Sequence, residues 1–302
     1  MLNEASLPSL KALRTFVAVA NNLSFSKAAK ELFVTQSAVS KQISALEQQL
    51  GQPLFSRHLN GIQLSHAAET YLPKIIEALE IIQYATSSLI KIDHAEEVLT
   101  LDVTPSFASL WLIPRIEEFH RLNKKIQVRI QTGDGQIKQN NGGCDISVRC
   151  FPISQHYENA VLLRRENLVL VASPKLLNVN PIVEMQDIQK HILIPHITRP
   201  HLWEQFKRAN NLAYKSRYSA TGFEHFYMSL EAVKDGLGLA LLPDFMIKGA
   251  LKNNTLINPL NLSMETSYGY YILVPSYRLS SRKIYEFSRW LNGKLGKEST
   301  IY

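Results

Sequence analysis

The chain has 302 residues, 45% of them hydrophobic and 20% charged, with a net charge of +7. That length holds two or three domains with ample core, and the mild basic excess permits nucleic-acid binding without arguing for it. No apolar run reaches the ~18–20 residues of a membrane span, and Lys11 and Arg14 interrupt the apolar core a signal peptide would need, so a cytoplasmic protein with no membrane contact is expected.

Residues 10–21 carry Leu10, Leu13, Phe16, Val17 and Ala20 at helical spacing. Ser24 or Ser26 can cap a second helix over Lys27–Phe33, and after the break at Val34-Thr35 a third helix starts at Thr35 or Gln36 and stops at Gly51. Three short helices with a tight link between the last two form the helix-turn-helix pattern. In PLFSRHLNGIQLS, Asn60-Gly61 is a hairpin signal, which supplies a wing. Residues 67–93 repeat Tyr71, Ile75, Ala78, Ile82, Ala85, Leu89 and Ile92 in steps of four and three. That seam predicts a long helix that pairs two copies, the alternative being that it packs on its own C-terminal domain; Pro73 should bend its first turns.

From Val98 the pattern alternates. Strands are predicted over Val98–Val103, Ile126–Gln131, Ile146–Cys150, Asn167–Ala172, Leu237–Leu242 and Tyr270–Val274. Helices are predicted over Phe107–Leu122, Trp203–Asn211, Phe223–Asp235 and Arg282–Leu295. Such alternation implies parallel sheets covered on both faces. Cys144 and Cys150, the two cysteines, fall on or near one short strand and read as reduced thiols.

The third helix sorts by angle at about 100° per residue. Val39, Ile43, Leu46 and Leu50 share one narrow arc, while Ser37, Ser40, Lys41, Ser44 and Gln48 lie opposite. The second arc is polar, short-chained and nearly free of acid, as a surface entering a DNA groove needs. Residues 1–66 hold six basic residues against three acidic ones, a weak footprint that a dimer would double.

The stretch SFSKAAKELFVTQSAVSKQISALEQQLGQPLFSRHLNGIQLS resembles the helix-turn-helix of LysR-type transcriptional regulators, through Ala28–Leu32, QSAVS at Gln36–Ser40, Leu46–Gly51 and Leu54–Arg57. Ala67-Ala68 departs from the family's Ala-Gly. The resemblance implies that Gln36, Ser37, Ser40 and Lys41 face DNA, that Thr35 caps the helix and meets phosphate, and that Arg57 reaches phosphate or minor groove from the wing. For Thr35 a pure cap competes, and for Arg57 a surface ion pair. The family's architecture is α/β and multidomain: a winged helix-turn-helix (1–66), a linker and dimerisation helix (67–95), and a periplasmic-binding-protein-like effector domain (96–302). The last has two α/β subdomains, about 96–165 with 269–302, and about 166–268.

The cleft between subdomains should use loops at strand ends and helix N-termini, where free N–H groups favour an anion. Thr104-Pro105-Ser106 is the first such place. TPSFASLWLIPRIEEF, DISVRC and GFEHFYMSLEAVKDGLGLALLPDFM resemble the branch that includes the glycine-cleavage activator, β-lactamase regulators and D-serine regulators. These matches nominate Thr104, Ser106, Asp134, Arg149, His225 and Tyr270 as pocket residues, with Trp203, Phe223 and Glu224 behind them. Arg149 could instead hold Asp145 or another acid, His225 could be a plain helix residue, and Asp134 could be a turn residue. The expected partners are double-stranded promoter DNA, a small-molecule effector such as an amino acid or related amine or carboxylate, and further copies of the chain as a dimer and tetramer.

Other classes fit less well. No G-x-G-x-x-G, Walker A, H-E-x-x-H or G-x-S-x-G occurs, and nine scattered histidines with two cysteines lack metal spacing, so no enzyme and no cofactor are expected. A solute-binding protein would need an export signal and have no use for residues 1–66. A purely architectural DNA binder would not need about 200 further residues in two lobes.

Overall fold

Ser9 opens the first helix by accepting the Ala12 N–H at 3.2 Å, and α1 runs Leu10–Asn22. Ser24, the first of the two candidate caps, opens α2 (Phe25–Glu31), two residues earlier than the apolar spacing suggested, because its hydroxyl takes the Lys27 N–H. Thr35 opens α3 (Gln36–Leu50), and Gly51 closes it in the left-handed conformation at φ 65°. The computed structural model describes residues 7–58, 61–90, 97–133, 144–157, 159–213 and 216–295.

Phe16, Val19, Ala28, Val39, Ile43 and Leu46 form the buried centre of this three-helix unit. At about 1.5–3 kcal/mol for each large apolar side chain removed from water, such a cluster is what holds so small a unit together. Strand β1 (Phe55–His58) pairs antiparallel with β2 (Gly61–Leu64), His58 opposite Gly61. That register puts the connection at residues 59–60, one position before the expected Asn60-Gly61 centre, and these two residues lie outside the described ones.

Helix α4 (His66–Ile90) continues through Pro73 without a break. Ser65 caps it, accepting the Ala68 N–H at 3.1 Å while donating to the Pro53 carbonyl at 2.6 Å. Its seam divides. Tyr71 and Ile75 pack on the helix-turn-helix core, with the Tyr71 ring 5.8 Å from Phe16, whereas Ala78, Ile82, Ala85 and Leu89 are exposed. Ile92 lies outside the described residues.

The C-terminal unit is built on β3 (Glu97–Val103). Next come α5 (Pro105–Phe107), a π turn over Ala108–Leu112, a 3-10 turn over Ile113–Arg115 and α6 (Ile116–Leu122). One continuous helix was expected here. Pro114 has no N–H to continue an α ladder, and the helical path changes character around it. Then follow β4 (Ile126–Thr132), β5 (Ile146–Pro152), β6 (Ala160–Val171), α7 (Pro174–Val179), β7 (Ile192–Leu193), α8 (Leu202–Ala209), β8 (Arg217–Tyr218) and α9 (Phe226–Lys234). The last described elements are β9 (Ala240–Pro243), α10 (Lys248–Lys252), β10 (Ser263–Leu273) and α11 (Arg282–Leu295).

Six strands form one sheet in the order β4-β3-β5-β10-β6-β9, and β7 pairs parallel with β8. The expectation of parallel sheets is corrected. Within the six-stranded sheet only β3 pairs parallel, with β4 and β5, while β10 runs antiparallel to β5 and β6, and β9 antiparallel to β6. The reason is that β6 and β10 are long return strands. The first half of β6 pairs with the last half of β10, the register shifts between Glu265 and Gly269, and the far half of β6 then pairs with β9. Buried Asp145 pins α11 under the sheet: Arg278 donates to it at 2.8 Å, and Lys283 reaches both it and the Val98 carbonyl. Both cysteines are free thiols. No helix among the described residues is long and apolar enough to cross a membrane.

Candidate DNA-reading helix and effector cleft

The two arcs of α3 separate in three dimensions as expected. Val39, Ile43 and Leu46 are buried, whereas Gln36, Ser37, Lys41, Ser44 and Gln48 are exposed and Ser40 is half-buried. Thr35 fulfils the capping role, taking the Ala38 N–H at 3.2 Å and sharing a 3.0 Å hydrogen bond with Ser37. Gln36 is held from the neighbouring helix, its side-chain oxygen accepting from the Ser26 hydroxyl at 3.1 Å. Glu47 turns inward: its carboxylate accepts the Leu54 and Phe55 N–H groups at 2.8 and 3.2 Å, tying α3 to the wing. The acid of α3 is thereby used inside the unit, and the exposed face carries hydroxyls, amides and one cation. The Arg57 side chain lies outside the described residues.

In the C-terminal unit, Thr104 stands at the N-cap of α5 with extended backbone, and Ser106 is buried two residues on. The Ser106 hydroxyl accepts the Tyr227 N–H at 3.4 Å. Tyr227 is the second residue of α9, and His225 is that helix's N-cap residue, its ring stacked 5.6 Å from the Tyr227 ring. One of the N–H groups that a helix start leaves without an internal partner therefore points at the Thr104–Ser106 loop. Phe223 is half-buried and exchanges backbone hydrogen bonds with Pro195 and Ile197; Glu224 is exposed.

Three further candidates hold hydrogen bonds within the domain. Arg149 is buried and donates to the Asp102 carbonyl at 2.8 Å and to the Asp102 carboxylate, so its acid is Asp102 and not Asp145. Gly133 lies against this pair: a Cβ there would sit 3.3 Å from Asp102 Oδ1 and 3.4 Å from the Arg149 guanidinium. Trp203 is buried and gives its indole N–H to the Ile194 carbonyl at 2.8 Å. Tyr270 is buried between Phe107 and Phe245, its hydroxyl 3.3 Å from Glu166. Asp134 lies outside the described residues.

A charged centre that no sequence pattern names lies where β6 and β10 cross. Glu166 is fully buried. It accepts from Arg199 at 2.5 Å, Thr266 at 2.9 Å, Tyr270 and the Cys150 thiol. Arg199 also reaches Cys150 Sγ at 3.3 Å and covers the Tyr268 ring at 4.1 Å. Burial, the largest single influence, lowers the Arg199 pKa, but Glu166, Cys150 and Tyr270 together outweigh it and hold the guanidinium charged above its ordinary value. Burial, then the neighbouring Cys150 and Glu166, push the Tyr270 hydroxyl well up, and burial pushes the Cys150 thiol up. His196 packs 4.6 Å from the Phe226 ring and bonds Thr198 at 3.1 Å. Burial, with Arg199 and His225 adding positive charge, pulls its pKa down from 6.5 to about 4, so it is neutral at pH 7. An acid beside the apolar run of β6, as Glu166 is, could have signalled a buried pair; its partner, 33 residues on, could not be read.

A winged helix-turn-helix whose third helix presents an acid-free polar face, joined in one chain to a two-sheet α/β unit, defines a DNA-binding regulator with a sensing domain. The profile described as the LysR substrate binding domain matches residues 93–296, and the one described as a bacterial regulatory helix-turn-helix protein of the lysR family matches residues 10–69. The chain is 32% identical over 296 residues to a glycine cleavage system transcriptional activator homolog of Haemophilus influenzae, spanning 97% of this chain and 96% of that one. It is 33% identical over 295 residues to the glycine cleavage system transcriptional activator of Escherichia coli, spanning 97% and 95%. Its fold is similar to the crystal structure of ArgP from Mycobacterium tuberculosis, with a TM-score of 0.68 at 17% identity over 96% of this chain and 98% of that one. The chain belongs to the LysR family: it is a transcription regulator with a DNA-binding helix-turn-helix and an effector-binding domain, and not an enzyme.

Proposed function

We propose that this regulator, in the cytoplasm, grips promoter DNA through the exposed face of α3 and alters that grip when an amino acid, or a related amine or carboxylate, enters a cleft beside Ser106. Gln36, Ser37, Ser40 and Lys41 read base edges; Thr35 and Arg57 hold phosphates. The cleft separates one subdomain of about 96–165 with 269–302 from another of about 166–268, β6 and β10 being the crossovers. The carrying observation is the 3.4 Å contact between the Tyr227 N–H and the Ser106 hydroxyl, which sets the start of α9 against the Thr104–Ser106 loop. A ligand carboxylate placed there meets two hydroxyls and the positive end of a nine-residue helix, with His225 beside it. Glu224 and Asp134 are left for an ammonium group, and Phe223 for the ligand's apolar part. Arg149, Trp203 and Tyr270 stand behind the cleft and position its walls.

Two copies associate through the exposed half of the α4 seam, Ala78, Ile82, Ala85 and Leu89, because an apolar stripe of this length needs a partner. Dimers pair into a tetramer, and ligand binding shifts the spacing of its recognition helices and the bend of the DNA. Isothermal titration of the full chain with the twenty amino acids and a set of diamines tests the effector class. Heat of binding to an amino acid that Ser106→Ala weakens about tenfold or more supports it; silence from every compound removes it.

A further inference from the structure

We infer that the turn between α2 and α3 makes a second contact with DNA, in which the exposed Phe33 ring lies on deoxyribose carbons of the backbone beside the recognition helix. This rests on the reading that the polar face of α3 meets DNA. Phe33 is the most exposed large apolar side chain among the described residues, at 94%. Its backbone has φ 54°, the left-handed region that Gly or Asn adopts at little cost and an aromatic residue does not. The turn requires that conformation. The Phe33 N–H closes on the Lys30 carbonyl at 3.3 Å and the Val34 N–H on the Ala29 carbonyl at 3.0 Å, and Thr35 then caps α3 at once. Folding alone would favour a small residue here, and the phenyl ring recovers nothing inside its own unit. An apolar side chain that costs stability and stays in water calls for a partner outside the unit.

Position and charge name that partner. Phe33 precedes Gln36 by three residues and is followed by Val34, itself 38% exposed. Lys27 and Lys30 are exposed on α2, and Lys41 on α3. Glu31, the adjacent acid in the chain, accepts a hydrogen bond from Asn22 at 2.6 Å. A surface with an aromatic ring beside cations fits a polyanion that carries apolar carbons between its charges, which is the sugar-phosphate backbone. A second copy of the chain would bring the same lysines to the patch and be repelled.

The test uses full-length Phe33→Asn and Phe33→Leu chains and a duplex selected from a random pool by the wild-type protein, read by fluorescence anisotropy at two salt concentrations, with thermal unfolding and sedimentation alongside. The Asn variant should unfold at the same or a higher temperature, yet bind about five- to tenfold more weakly with an unchanged salt slope, since no charge is altered. The Leu variant, which keeps an apolar side chain, should lose less than about threefold. Binding by Phe33→Asn within about twofold of wild type overturns the inference. So does a loss of affinity that merely tracks a smaller species in sedimentation, which would assign the patch to a second copy. Ser37→Asp separates the two readings: if it binds like wild type, the placement of α3 fails, whereas its loss beside an unaffected Phe33→Asn removes only the Phe33 contact.

Discussion

The two units of this protein handle charge in opposite ways. The helix-turn-helix keeps its one inward acid, Glu47, on backbone N–H groups and leaves Lys27, Lys30 and Lys41 in water. The effector domain buries its charges in closed sets: Glu166 with Arg199, Asp102 with Arg149, and Asp145 with Arg278 and Lys283. A surface that must meet phosphate needs free cations and no acid. A domain whose sheet is joined by long return strands needs polar contacts that tolerate few arrangements. The difference predicts that charge changes in the first unit alter binding and spare stability, and that in the second they alter stability first.

Glu166→Ala breaks the buried set most severely. It leaves Arg199 buried without its acid and should destabilise the effector domain by about 3–5 kcal/mol, read as a fall in that domain's urea midpoint with the helix-turn-helix transition unmoved. A change under about 1 kcal/mol would mean that water already screens the pair.

His196→Gln sharpens the comparison through pH. The wild-type imidazole is held neutral when folded, with a pKa near 4 against 6.5 when unfolded, so between these values the unfolded chain binds more protons. Stability is full above pH 6.5 and falls as pH drops toward 4, by up to about 3 kcal/mol. The Gln variant should lose that share of the slope, and an unchanged slope would place His196 in a wetter site. Tyr270→Phe is the mildest break. It removes one hydroxyl from a Glu166 carboxylate that keeps Arg199 and Thr266, and should cost about 1 kcal/mol.

The same contrast explains how much was legible in the sequence. In the first unit every determinant is local: Ser24 and Thr35 cap within three residues, Gly51 stops α3, and the apolar arc of Val39, Ile43 and Leu46 repeats within one helix. In the second unit the strands from β3 to β5 and helix α11 were legible from periodicity. The antiparallel return of β6 and β10 was not, because their pairing joins residues about 100 apart, as Glu265 and Asn167 show. Candidate cleft residues divided along the same line. The Thr104–Ser106 loop could be placed from the strand-end pattern around it, whereas His225 was named by resemblance alone and stands at the N-cap of a helix that starts at Phe226 and not at the expected Phe223. That Arg149 would take Asp102, and that Trp203 would spend its N–H on Ile194, depends on neighbours no local pattern names.

The most direct test of the account is the affinity of the full chain for a duplex selected by the wild-type protein, compared with Ser37→Asp at two salt concentrations and with sedimentation of both. Wild type should bind with a steep salt dependence. Ser37→Asp, which puts a carboxylate on the reading face, should bind at least about a hundredfold more weakly while sedimenting identically. Equal affinity of the two proteins would contradict the assignment of α3 as the element that reads DNA.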